Sequence, residues 1–185
     1  MNQQRHLHLV QPPFDADKPD SVAKPAMRHL PVLVPEVQDT IWLEKAYKVA
    51  FATNNGQHVN QHFGMAQQFV IYAVDEQHTL LLNHYDFGQL AMDGNEDKLA
   101  IKLDALQNCI AVYSQAIGSS AMQQLQRQHT YPVKVTAGAP IQQLLADLQQ
   151  ELNQGPSGWL KRAISQRNTA DPDRFDKMLD EGWDE

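Results

Sequence analysis

Two imidazoles four residues apart, His58 and His62, lie in the stretch NNGQHVNQHFGMAQQF (residues 54–69), a polar, glycine-punctuated segment between two apolar runs. Neutral imidazole is a ligand for several transition metals, and an ordinary pKa of about 6.5 keeps it available in that form near neutrality. His62 heads the compact turn His62-Phe63-Gly64. A loop histidine of this kind is either a solvated side chain or a terminal metal ligand, and spacing alone does not choose between them.

The single cysteine, Cys109, excludes an intrachain disulfide. It also excludes a self-contained zinc or cubane site, which takes about four protein ligands, mostly thiolates. Cys109 opens an apolar run, CIAVY, so a buried and unreactive thiol is expected.

A second feature with chemical potential is Ser114-Gln115-Ala116-Ile117-Gly118-Ser119-Ser120. Here a strand gives way to a helix, and the helix start offers free backbone N–H groups suited to an anion. The crevice outside the carboxyl end of a strand is a favoured ligand position in open α/β sheets. Gly118, Ser119 and Ser120 are therefore candidate binding residues, with the hydroxyls read as helix N-caps rather than nucleophiles.

The elements that must position these loops can be read from the hydrophobic period. KVAFAT (48–53), QFVIYAVD (68–75) and TLLLNHYDF (79–87) read as three strands with short links, an antiparallel meander. The period then becomes helical in GNEDKLAIKLDALQN (94–108), where Leu99, Leu103 and Leu106 recur. Asp93, Glu96 and Asp97 sit where acids favour a helix dipole. CIAVY (109–113) and PVKVT (132–136) are strands, and SSAMQQLQRQH (119–129) and PIQQLLADLQQEL (140–152) are helices, the latter with Pro140 near its first position. The order βββαβαβα is that of the ribonuclease-H-like α/β fold, with a mixed five-stranded sheet and helices on both faces. If the loop 54–64 emerges at the same end of the sheet as the Ser119 helix start, imidazole and amides face one pocket.

Around this core (47–153), two appendages are expected. Residues 1–46 hold six of the ten prolines, so this arm should be largely irregular, apart from a helical turn within Thr40–Tyr47. In 154–185, GPSGW breaks the preceding helix and WLKRAISQR forms a short one. The end, DPDRFDKMLDEGWDE, carries seven acids against Arg174 and Lys177, with Phe175, Met178, Leu179 and Trp183 at helical spacing. Such an amphipathic helix docks on its own domain or in a partner groove.

A formal charge of −7 argues against non-specific nucleic-acid binding, which needs a basic face. Nothing approaches the roughly 20 apolar residues of a membrane span, and the N-terminus lacks the apolar stretch of a secretory signal. A cytoplasmic protein is expected. Enzyme signatures are missing: no P-loop, no GxGxxG after a strand, no GxSxG. A two-metal nuclease would need carboxylates at the ends of the central strands, where this chain has Ala52-Thr53-Asn54 and Tyr113-Ser114-Gln115.

Several separated motifs carry a family resemblance: "KVAFAT…VNQHFG", "YDFGQLAMDGNEDKLAIKLDAL", "CIAVYSQAIGSSAMQQL", "PVKVTAGAPI", "GPSGWL" and "RFDKMLDEGWDE". Over about residues 47–185 the chain resembles the NifX branch of the nitrogenase cofactor-biosynthesis proteins, the NifX/NafY family. The resemblance implies a carrier rather than a catalyst. Its cargo would be the NifB cofactor and related iron–sulfur precursors, and also the iron–molybdenum cofactor. Its partners would be the NifEN scaffold, NifB and dinitrogenase. It implies that His62, the histidine of the HFG motif, is the chief metal ligand; His58, four residues earlier, is a weaker second candidate by type and spacing alone. The family often has a further cysteine where this chain has Ser114, a departure that weakens any thiolate-ligation scheme. The rival reading is an interaction adaptor of nitrogenase assembly with no bound cluster.

Overall fold

A computed structural model of the protein describes residues 28–30, 41–88 and 96–170. The elements, in chain order, are β1 (Arg28–Leu30), α1 (Ile41–Lys45), β2 (Tyr47–Thr53), β3 (His58–Val59), a 3-10 turn (Phe63–Met65), β4 (Gln68–Val74) and β5 (Thr79–Asp86). They continue with α2 (Glu96–Asp104), β6 (Cys109–Ser114), α3 (Ser119–Arg127), β7 (Tyr131–Lys134), β8 (Ala139–Pro140), α4 (Ile141–Gln154) and α5 (Gly158–Ala170).

The main sheet has the order β1-β5-β4-β2-β6-β7. β2, β4 and β5 form the antiparallel meander, while β2–β6 and β6–β7 pair in parallel. The five strands read from the sequence are therefore present in a mixed sheet in the expected element order, and the ribonuclease-H-like label rests on that order alone. One strand was not anticipated. Arg28–Leu30 of the proline-rich arm, read as irregular, pairs antiparallel with β5 along the edge. A second addition is the two-stranded ribbon β3–β8.

Successive buried side chains of the central strand point to opposite faces and separate two cores. Val49 and Phe51 of β2 face α4 and α5, where Ile141, Leu145, Leu148 and Leu152 form the buried stripe of α4. Ala50 and Ala52 face the other side, with Phe63, Phe69, Leu103, Leu106, Ala121 and Leu125. Helices thus cover both faces, and β6 is buried at every position, as a parallel strand covered on both sides must be. The small alanines matter. They leave room for the Phe63 ring, which tilts against Phe69 at 5.5 Å, and Phe69 meets Phe87 edge-on at 5.1 Å.

α1 forms the predicted helical turn, and its Trp42 ring stacks on His78 at the β4–β5 hairpin, 5.1 Å between centroids. α5 is longer than WLKRAISQR suggests, and its Arg167 donates from Nη1 to Ala46 O over 2.8 Å. Among the described residues no helix is long and apolar enough to cross a membrane. The acidic amphipathic segment 171–185, the Asp93 position and most of the arm lie outside the described residues.

Candidate functional site

The segment after β2 is wired through its own side chains. Thr53 Oγ1 accepts from the amides of Asn55 and Gly56 at 3.2 and 3.0 Å. Asn55 Oδ1 accepts from the amides of Gln57 and His58, both at 3.0 Å. Asn60 closes the loop, accepting from the Asn54 amide at 3.0 Å and donating to Asn54 Oδ1 at 2.6 Å. Gly56 takes φ +70°, the left-handed conformation that favours glycine. Short polar side chains bonding back to nearby amides make a fixed turn from a stretch that composition alone would call solvated.

That rigid loop delivers His62 to the β6–α3 junction. Because β2 and β6 run parallel, both loops leave the same end of the sheet. Gln115 N–H donates to Gln61 O at 3.0 Å, and Phe63 N–H donates to Ala116 O at 2.8 Å. His62 is the residue between these two backbone bonds. Its side chain is exposed, caps nothing, and makes no hydrogen bond or ring contact among the described residues. The imidazole and the α3 start are therefore joined through their backbones at one edge of the molecule.

The HFG turn divides by chemistry. Phe63 is fully buried, His62 and Gly64 are exposed, and Met65 beside them is 56% exposed. Underneath lies a group that the sequence reading did not select. Lys102 of α2 is only 2% exposed; its Nζ donates to Gly64 O at 2.5 Å, reaches Phe63 O at 3.5 Å, and sits 5.7 Å from the centre of the Phe87 ring. Burial, followed by the nearby charge of Lys98, lowers its pKa to about 8. A signal was present: Lys102 falls three residues after Leu99 and four before Leu106, on the apolar stripe.

The other candidates distribute unevenly. Gly118, not a serine, is the N-cap of α3, in extended conformation and without a side-chain cap bond. This corrects the reading of the hydroxyls as caps. Ser119 and Ser120 are exposed in the first helical turn, and the first intrahelical bond at this end runs from Met122 N–H to Gly118 O at 2.9 Å. The amides before it have no carbonyl within the helix to bond, as at any helix start. His58 belongs to the β3–β8 ribbon: it pairs with Pro140, and its Nδ1 lies 3.4 Å from Asn55 Nδ2. Among the described residues no hydrogen bond or ring contact joins the two imidazoles. Cys109 is 4% exposed, and burial pushes its thiol up to about 12. It begins β6 whereas the junction follows the strand's other end, six residues or about 20 Å away along an extended chain.

Cavities of about 600, 440 and 290 Å³ have no residue of 54–64 or 115–120 in their walls. The first is lined by Tyr47, Cys109, His129 and Arg167, at the amino ends of the parallel strands. The imidazole edge is a ledge of exposed residues, His62, Gly64, Met65, Gly118, Ser119 and Ser120. Thiolate coordination at the ledge by Cys109 is excluded by its position, and groups of three or more His, Cys, Asp or Glu able to hold a bare metal ion are absent among the described residues.

The molecule is thus a mixed α/β domain carrying an exposed imidazole where two loops leave its central parallel strands. Residues 45–151, more than half of the chain, match the family described as "Dinitrogenase iron-molybdenum cofactor", and the chain belongs to that family. It is 47% identical over 158 residues to Protein NifX of Azotobacter vinelandii, covering 85% of this chain and 97% of that protein. Against Protein NifX of Herbaspirillum seropedicae it is 38% identical over 122 residues, covering 65% and 84% of the two chains. Against Protein NifX of Klebsiella pneumoniae it is 33% identical over 139 residues, covering 75% and 84%.

Proposed function

We propose that this chain is a non-catalytic carrier in nitrogenase cofactor assembly, one that binds iron–sulfur precursors of the iron–molybdenum cofactor and escorts them from NifB to the NifEN scaffold in the cytoplasm. The family match and the NifX relatives support the area of biology. The observation that carries the site is the exposed imidazole of His62, without a hydrogen-bond partner among the described residues and held between two backbone bonds to Gln115 and Ala116 in the β6–α3 junction. In this reading residues 47–153 hold the cargo.

The chemistry suits a cargo that arrives assembled. A metal cluster with its own bridging sulfides needs few terminal ligands, and neutral imidazole can serve as one. Amides at the helix start offset negative charge. Few bonds to the protein also permit release, which a carrier requires. His62 is the terminal ligand in this scheme, with Gly118, Ser119 and Ser120 supplying the amide field; His58, held in its ribbon, is at most an auxiliary.

Anaerobic mixing with the isolated NifB product tests it. The wild-type chain should take up iron in near-stoichiometric amount, and His62→Ala should take up much less while keeping its fold. Equal uptake by the two proteins refutes the ligand assignment. Absence of uptake by both, with NifEN still co-purifying, turns the reading to an adaptor without cluster.

A further inference from the structure

Lys102 is the least economical feature of the site. The residue is almost wholly buried, yet the hydrogen-bond acceptors of its ammonium are two backbone carbonyls, those of Gly64 and Phe63. Among the described residues no carboxylate pairs with it. Its charged neighbour is Lys98, a like charge one helical turn away, which makes burial harder. The Phe87 ring face offers only a weak electrostatic partner at 5.7 Å.

A neutral donor could tie down the same two carbonyls without the desolvation penalty of a full charge. A buried cation lacking an internal counter-ion is normally selected against, because its solvation is lost and nothing replaces it. Where such a group persists, a functional site is the first place to look. Here the group lies directly beneath residues 63–64, and the exposed imidazole of the same turn is the next residue outward.

We propose that Lys102 supplies the counter-charge for an anionic ligand seated on the His62 turn, acting as a positioning residue through Phe63 and Gly64 rather than by contact. The inference rests on the reading of the His62 ledge as the ligand site. Among the described residues no carboxylate balances Lys102, and in this proposal the ligand does. Beneath the turn one positive charge acts on an anion seated on exposed residues above it, where mobile ions still screen the attraction. The same field opposes a bare metal cation, so the ledge discriminates by charge: it favours clusters with net negative charge over free metal ions.

The test uses the full chain, with iron–molybdenum cofactor extracted from dinitrogenase as probe, titrated anaerobically over a series of salt concentrations. Lys102→Met preserves length and removes the charge; Lys102→Arg retains it. Lys102→Met should bind the cofactor at least tenfold more weakly at low salt and show a shallower dependence of affinity on salt. Its melting temperature should equal or exceed that of wild type, because a buried charge has been removed. Lys102→Arg should retain most of the affinity and the wild-type salt slope. Undiminished binding by Lys102→Met, with wild type binding normally, overturns this proposal and leaves the ledge intact as a site. Weaker binding accompanied by a lower melting temperature and an unchanged salt slope also overturns it, since that marks a structural prop. A wild-type chain that takes up no cofactor overturns the site reading and this proposal together.

Discussion

Phe63 N–H and Ala116 O lie 2.8 Å apart, and this bond, with its neighbour from Gln115 to Gln61, locks the histidine-bearing loop to the start of α3. Both bonds are between backbone groups. The side chain of residue 62 can therefore change without disturbing the frame that presents it.

His62→Ala should accordingly leave thermal unfolding unchanged, because exposed side chains without partners contribute within about 0.5 kcal/mol. Cluster loading should fall at least tenfold. Iron content and melting temperature, measured on the same preparation, check both halves of this expectation.

Phe63→Ala removes a fully buried ring that packs on Phe69. It should cost about 3–5 kcal/mol of stability. Denaturant unfolding measures the loss, and loading should fall as well, since the turn that aims His62 loses its anchor.

Asn55→Ala deletes the carbonyl oxygen that accepts from the amides of Gln57 and His58. The loop is exposed, so water replaces part of the loss and the cost should be about 1 kcal/mol. Faster amide exchange at residues 57 and 58, with protection in β4 unaltered, would locate the effect.

Lys102 gives a signed pH dependence. Its pKa in the folded chain is lowered to about 8, against about 10.4 in an unfolded chain. Between those values the unfolded chain holds a proton that the folded chain has lost, so stability should rise with pH. The gain should be on the order of 3 kcal/mol. Cys109 opposes it above about pH 9 and the tyrosines above about pH 10, because burial raises the pKa values of Cys109, Tyr47, Tyr72 and Tyr113. The stability difference between wild type and Lys102→Met across this range isolates the lysine; a difference independent of pH would contradict the assignment.

Cys109 should resist iodoacetamide in the native protein at pH 8. Its thiol is buried and titrates near 12, so the reactive thiolate is scarce. Mass spectrometry should show rapid alkylation only once denaturant is added.

Much of the core was legible because its strands and helices carry clear periods. Val49 and Phe51 alternate with Ala50 and Ala52, and Ile141, Leu145, Leu148 and Leu152 repeat at helical spacing. The edge strand Arg28–Leu30 and the β3–β8 ribbon escaped notice because two or three residues carry no period, and their pairing is set by distant chain segments. At the site, His62 stood out by type and spacing, whereas its proximity to α3 depended on which end of the sheet each loop left. Serine at a strand–helix junction suggested a cap, but Gly118 already provides the extended residue there. Lys102 was visible only as a charge on an apolar stripe, a pattern that ordinarily means a long side chain reaching for water. Its reach inward to Gly64 O is a tertiary fact.

The openness of the ledge bears on how any passenger would leave. A molecule resting on an uncovered shelf keeps its outer half available, so a receiving protein can take hold before the first grip loosens. In the proposed carrier, transfer would then proceed hand to hand, and a labile passenger need never drift free in water.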